Sequence, residues 1–456
     1  MQRYAPDVAI VGAGTVGCYA GAKLAGEGFD VTVVERKPES EAGHIACGDA
    51  LKGADNFPDQ IPKSKLEPAI TNSVVDHGRF EIPTEDAVLD IPVPGELGVI
   101  DRMEYGRILL EGAAAEGVEF HYDTVVNDVV QEPGGRVTGL KAINDGSGVE
   151  YESRFVIDGT GALSLLQDKI EFDQSHFDTN VRYTQFSSAY REVLEVKEPV
   201  EYHDALVFKP TQRAAGYLWY FPRTPTEINV GLGFQMDEDP MKLVQALKED
   251  ISQRPEFEGA VVKDKLGASL PTRRPYDSAV GPGFIAAGDS AAHVNPTTGG
   301  GIAGAAYAAT YAAEQVIEAL THEDYSEGNL WRYNTRVMEH FGARYAALDV
   351  YNIFATAYDL SDLMGLLAAL PGEQLSEALY SGSTGLGPML ALKTLWKSRG
   401  HWSTMFDLYR TKQKADELLS HYNSYPSSPA GFDAWQGTRD RLMDDIYATL
   451  GADAKY

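Results

Sequence analysis

Two glycine-rich stretches far apart in the sequence carry the residue types with which a backbone can hold a flat, phosphate-linked ligand. The first is Gly12-x-Gly14-x-x-Gly17. The second is Gly288-Asp289, followed by Pro296 and the triplet Gly299, Gly300, Gly301 ahead of Ile302. Glycine allows close approach of the main chain, and a helix starting there points free N–H groups and a positive dipole end at the ligand. Asp289, just after an apolar run, is placed to accept hydrogen bonds from sugar or ribityl hydroxyls. Taken alone, the second stretch could equally be a loop capping an ordinary helix. The first stretch weighs against that.

The elements around the first stretch supply its context. A buried strand, Val8 to Val11, leads into the glycines; a helix runs to about Ala25, and a second strand ends at Glu35 with Arg36 beside it. This is a βαβ unit of about thirty residues with an acid about twenty residues beyond the glycines, the fingerprint of dinucleotide binding. Gly12 permits the tight turn, Gly14 the approach of a pyrophosphate, and Gly17 the packing of helix on strand. Glu35 would take the ribose hydroxyls. Cys18, on the helix, reads as a small core residue. The loop after the second strand contains Cys47-Gly48-Asp49 and would reach over the reactive ring. Cys47 is either a buried loop thiol or a site residue, and His44 reads as surface or structural.

Farther along, strands are expected over Arg79 to Ile82 and Ala87 to Val93 in a different sheet. Asp101 reads as the N-cap of a helix bearing Met103, Ile108, Leu109 and Ala113. Arg102 at its start would hold a phosphate or a ring-linked hydroxyl, with a surface salt bridge as the rival role. Residues 118 to 143 alternate as strands around Pro133-Gly134-Gly135, and Val126 would offer its backbone to an adenine. A further buried strand ends in Asp158-Gly159-Thr160-Gly161; Asp158 and Gly161 are assigned to the cofactor site. The Ala-rich run after Gly301 predicts a helix.

Residues 175 to 272 are aromatic and strand-like. In the run Tyr217-Leu218-Trp219-Tyr220-Phe221-Pro222, the first, third and fifth side chains share one face. On the paired run, Asn229 to Phe234, Gly231 and Gly233 would leave room beside them. The pattern suits a wall for a long apolar substrate and equally an aromatic face packed into a sheet core. Beyond residue 322, Leu330, Val337, Phe341, Tyr345 and Leu348 form one helical stripe. Further helices are expected over Ser361 to Leu370 and after Pro388.

Composition excludes several classes. The 456 residues carry 67 acidic and 39 basic side chains, a net charge of −28. Such a surface disfavours nucleic acid and electrostatic docking on anionic bilayers, and suits a salt-rich, halophilic cytoplasm. Two cysteines and the absence of a leader pattern point to a reducing cytoplasmic setting. No apolar run reaches about 18 residues, so membrane contact would be peripheral. No metal is called for.

Together, the two glycine stretches, Arg102 and Ile157-Asp158-Gly159-Thr160-Gly161 resemble an FAD-dependent oxidoreductase of the aromatic-hydroxylase (p-hydroxybenzoate hydroxylase-like) fold. Within it, Cys47-Gly48, Tyr217-x-Trp219-x-Phe221-Pro222, Asn229-Val230-Gly231-x-Gly233 and Asn295-Pro296-x-Thr298-Gly299-x-Gly301 resemble the geranylgeranyl reductase family, archaeal digeranylgeranylglycerophospholipid reductases in particular, over roughly residues 7 to 400. The resemblance implies an α/β fold. Its discontinuous Rossmann-type FAD domain takes residues 1–76, 100–165 and 273–322. An inserted antiparallel substrate sheet takes 77–99 and 166–272, and a helical region takes 323–456. It implies that the aromatic and glycine strands (Tyr217, Trp219, Phe221, Pro222, Asn229, Gly231, Gly233) line a prenylated lipid, with Cys47 near flavin and substrate as candidate for proton delivery. Hydroxylases commonly carry His and Pro where Ala292 and Asn295 stand; His293 therefore reads as structural. They also carry an Asp where Thr160 stands, so the electron donor could be NADPH, NADH or reduced ferredoxin. The rival functions are a flavin monooxygenase or quinone-type oxidoreductase, and a non-catalytic prenyl-binding protein of this fold. Arg273 and Arg274 could receive a diphosphate.

Overall fold

The structure is a computed structural model that describes residues 2–456 apart from 53–56, 84–85, 94, 163–165, 179–181, 212–215, 237–238 and 359–401. The helix expected over Ser361 to Leu370, and the start of the one after Pro388, lie outside the described residues.

A six-stranded sheet forms the cofactor side. Its order is Val280–Gly281, Phe284–Ala286, Phe155–Asp158, Val8–Val11, Val31–Val34 and Glu119–His121. The strands are parallel except for the hairpin at the first edge. Val8–Val11, Val31–Val34 and Phe155–Asp158 are buried at every position, because helices cover both faces of such a sheet. Helices Thr15–Gly26, Arg102–Ala115 and Ile302–His322 pack together beside it. The last is rich in alanine on its buried face, which lets its backbone lie close to its neighbours.

The second large sheet has seven strands ordered Val261–Pro271, Phe186–Glu195, Glu227–Gln235, Gly216–Pro222, Ala205–Pro210, His77–Ile82 and Ala87–Pro92. All neighbours are antiparallel except Ala205–Pro210 with His77–Ile82. A four-stranded sheet joins Gln2–Tyr4, Ser147–Glu152, Val137–Asn144 and Thr124–Gln131. Helices Glu327–Val337, Ala343–Ala357, Trp402–Tyr422 and Phe432–Leu450 close the C-terminal side. The stripe Leu330, Val337, Phe341, Tyr345, Leu348 is buried there.

Three features depart from expectation. A three-stranded sheet of Ala50–Lys52, Leu97–Ile100 and Ile70–Asn72 has no clear sequence signal, since each strand is only three or four residues long. It draws Leu97–Ile100 away from the neighbouring strands of the large sheet. Met103 is 43% exposed: the N-cap Asp101, which accepts the Met103 and Glu104 N–H groups, fixes the helix phase and turns that position outward. Arg273 and Arg274 are not an anion site. Both are buried; Arg273 bonds Gln185 and Asp178, and Arg274 bonds Tyr422 and Asp277.

Candidate active site

One cavity of about 2370 Å³ runs from the glycine fingerprint to the aromatic strand and on to the C-terminal helices. At its nucleotide end it is lined by Gly12, Gly14, Glu35, Arg36 and Val126. Gly12 has φ 98°, and a Cβ there would fall 2.4 Å from the Gly159 carbonyl oxygen. Helix Thr15–Gly26 begins at Gly14 without a capping side chain, so its first N–H groups face the cavity's end. Glu35 Oε2 accepts the Ala13 N–H at 2.8 Å and Oε1 that of Lys37 at 2.9 Å, which fixes the carboxylate at the strand end.

Asp289, Pro296, Gly299, Gly300, Gly301 and Ile302 line the next section, with Cys47, Gly48, Arg102 and Gly161. Asn295 builds the bend: its Oδ1 accepts the Thr297 N–H at 3.0 Å, and its main chain pairs with Gly299 and Gly300. Helix Ile302–His322 also starts without a capping side chain. Arg102 is 3% exposed and leaves Nη1 without a partner, so it is a buried cation on this cavity rather than a surface salt bridge. Burial raises the Asp289 carboxyl to about 6 although Arg102 opposes the shift. Two uncapped helix starts, a glycine cradle and an orphaned guanidinium nitrogen fit a dinucleotide cofactor.

Gly17, Asp158 and Gly288 do not line the cavity. A Cβ on Gly17 would sit 2.1 Å from the Gly12 carbonyl oxygen, so it serves helix packing. Asp158 is fully buried and accepts the Thr160 N–H at 2.9 Å, shaping the turn beneath the site. Gly288 lies at the strand end under helix Ile302–His322, where a Cβ would meet Val16. His293 accepts the Gly288 N–H at 3.1 Å, and burial pushes its imidazole down to about 3. It is structural.

Tyr217, Trp219, Phe221 and Gly233 line the substrate section. Phe80 and Phe208, stacked with centroids 4.9 Å apart, extend this wall and were not legible as site residues. Tyr217 donates its hydroxyl to the Thr298 carbonyl at 3.0 Å and so ties the wall to the glycine loop. Pro222, Asn229 and Gly231 lie behind it. The indole of Trp219 occupies the space above Gly231, where a Cβ would come within 2.1 Å. The glycine makes room for the tryptophan, not for a ligand. Beyond, the cavity reaches Tyr345, Phe354, Phe406 and Tyr409.

Cys47 stands where the sections meet. Its Sγ accepts the Asp49 N–H at 3.2 Å. Burial, then the neighbouring Asp49 charge, push the thiol above its ordinary value, so it is protonated at neutral pH. Asp49 is fully buried at φ 69° and pairs with Arg223 through Oδ2 and Nη2 at 2.7 Å. This pair spans 174 positions and has no local signal, although both residues adjoin motifs that the sequence does offer. Cys18 is buried core.

A glycine-lined section continuous with an aromatic wall fits an oxidoreductase that uses FAD. The chain belongs to the family described as tryptophan halogenase, whose model matches residues 70–354; a ketopantoate reductase PanE/ApbA model matches residues 8–66. It is 28% identical to digeranylgeranylglycerophospholipid reductase of Sulfolobus acidocaldarius, over 99% of this chain and 100% of that one. It is 26% identical to digeranylgeranylglycerophospholipid reductase 1 of Methanopyrus kandleri over 82% and 96%. Among solved structures, a geranylgeranyl bacteriochlorophyll reductase-like protein of Thermoplasma acidophilum aligns with TM-score 0.74 at 22% identity, over 91% of this chain and 100% of that one. Halogenase PltM in complex with phloroglucinol and FAD aligns at 0.60 and 15% identity, over 97% and 96%.

Proposed function

We propose that this chain saturates the carbon–carbon double bonds of geranylgeranyl groups in archaeal-type isoprenoid lipids, using FAD. The observation that carries the proposal is the single cavity that joins the nucleotide cradle to the wall of Tyr217, Trp219, Phe221 and Phe208, with Cys47 at the junction. It is supported by the full-length similarity to proteins named digeranylgeranylglycerophospholipid reductase.

Bound FAD, once reduced, supplies a hydride. The chain's own residues do the rest. Gly14 and the start of helix Thr15–Gly26, with Arg102, would hold the phosphates. Glu35 and Arg36 would take the ribose end, Val126 the adenine, and Gly161 and Asp289 the linking hydroxyls. Pro296, Gly299 to Gly301 and the start of helix Ile302–His322 would hold the ring and offer it positive potential. The aromatic wall orients the apolar chain and keeps water out. Cys47 would hold a proton at Sγ and deliver it to one alkene carbon. The S–H bond would break as one C–H bond forms, the second hydrogen and the electron pair coming from the reductant, and the thiolate would regain a proton from solvent once the product has left.

The electron donor is of the nicotinamide (NADPH or NADH) or reduced-ferredoxin class. No helix among the described residues is long and apolar enough to cross a membrane. Lipid would be reached peripherally from the cytoplasmic face, through the end of the cavity where Phe406 and Tyr409 are 55% and 58% exposed. The test is product analysis: holoprotein kept reduced with dithionite without air, given either geranylgeranyl diphosphate or the assembled diether lipid. Two hydrogens gained per double bond support the proposal and show which form is accepted. Unchanged lipid in both, with an oxygenated or halogenated product once air and halide are admitted, would replace it.

A further inference from the structure

Behind the wall, the polar contacts converge on a side chain outside the cavity. Asn229 is fully buried on strand Glu227–Gln235. Its Oδ1 accepts the Trp219 indole N–H at 2.9 Å, and its Nδ2 donates to the Cys47 carbonyl at 2.9 Å and to Asp49 Oδ2. A primary amide both accepts and donates, so one group can hold all three. Close packing reinforces the bonds. Gly48 lies on the wall so tightly that a Cβ would stand 3.3 Å from the Phe221 ring and 3.5 Å from the Trp219 indole nitrogen.

The network continues to the cofactor side. Asp49 pairs with Arg223, and Arg223 Nη1 lies 3.6 Å from Asp101 Oδ2. Asp101 caps the helix whose first residue is Arg102. Polar contacts therefore run from the buried back of the wall through the thiol loop to part-exposed Asp101 at the start of the cofactor-facing helix. Asn229 joins the wall to the thiol loop, and Arg223 joins that loop to the helix start.

We propose that Asn229 is a positioning residue for the reduction, fixing Cys47 and Trp219 in one register so that the proton donor and the face carrying the alkene hold a constant separation. This rests on the reading of Cys47 as donor. In apolar surroundings, with water excluded, a displacement of the thiol loop by about an ångström is enough to lose two orders of magnitude in rate.

The experiment uses the FAD-loaded protein and two near-isosteric variants. Asn229→Asp keeps the acceptor for Trp219, removes the amide donor to the Cys47 carbonyl and to Asp49, and sets a second carboxyl against Asp49. Trp219→Phe keeps a ring in the wall and removes the indole N–H. Each is measured for FAD content, for kcat and KM with the lipid, and for the alkylation rate of Cys47 by iodoacetamide; Cys18 is fully buried and silent. Asn229→Asp should retain FAD, lose at least tenfold in kcat with a smaller change in KM, and alkylate several-fold faster. Trp219→Phe, though remote from the thiol in covalent terms, should also speed alkylation. Parent-like alkylation and kcat in Asn229→Asp would overturn the proposal. If alkylation rises in both variants while Cys47→Ala keeps full turnover, the clamp stands and the assignment of Cys47 as proton donor falls.

Discussion

At the nucleotide end and in the section beside it, the cavity is lined largely by main chain at Gly12, Gly14, Gly299, Gly300 and Gly301 and by two helix starts. At the other end they are rings, each held by a contact from outside its own strand: the Asn229 side chain under Trp219 and the Thr298 carbonyl beside Tyr217. The first design tolerates almost no added atom but needs few partners. The second depends on long-range pairings staying in register. Damage to the cradle should therefore remove the cofactor, whereas damage to the wall should leave a coloured protein that turns over slowly.

Gly12→Ala should have the largest effect. The added methyl meets the Gly159 carbonyl in a backbone conformation that L residues avoid, so the purified protein should lack the flavin absorbance and be inactive. Flavin content per chain checks this; a yellow, active variant would mean that the turn is not the pyrophosphate site. Cys47→Ala comes next. Losing general-acid catalysis should reduce turnover by about 10²- to 10⁴-fold with FAD fully bound. Single-turnover rates measure it, and an unchanged rate removes the residue from the chemistry. Gly231→Ala presses on the Trp219 indole and should reduce turnover on the order of 10²-fold while FAD content holds. Loss of the flavin in this variant would erase the distinction between the two ends.

The distinction also explains what could be read from the sequence. The cradle is encoded within one βαβ unit and one glycine loop, where spacing alone fixes geometry, and Asp101, Pro296 and the helix after Gly301 stand where their neighbours imply. The alternation of Tyr217, Trp219 and Phe221 exposed one face of a strand. Its occupant was hidden because ladder register is non-local: Trp219 pairs with Gly231, so the gap beside that glycine is already filled. Asn229 and Asp49 were obscured in the same way. Phe80 and Phe208 belong to strands that meet only through a parallel pairing across the inserted sheet. Arg273 and Arg274 resemble an anion site in one dimension, but folding buries them against Asp178, Asp277 and Tyr422, whose carboxylates offset their charge.

The smallest expected effect is on stability alone. His293 titrates far below its ordinary value because burial opposes the charged ring. A histidine with a depressed folded-state pKa stabilises fully above about pH 6.5 and loses that contribution as pH falls toward about 3. Between about pH 6.5 and pH 5 this amounts to about 2 kcal/mol. In His293→Asn the amide oxygen can still accept the Gly288 N–H, and the acid limb of the Tm profile should flatten although the ring packing is lost. An equally steep limb would assign the acid sensitivity elsewhere.

The central claim is that one cavity brings reduced flavin and a prenyl double bond into reactive contact. Mixing dithionite-reduced holoprotein with the geranylgeranyl diether lipid in the absence of oxygen, and following the return of the oxidised-flavin spectrum in a single turnover, tests it directly. The account predicts reoxidation at a rate set by lipid concentration, with one double bond saturated per flavin. A flavin that stays reduced until oxygen is admitted would contradict it.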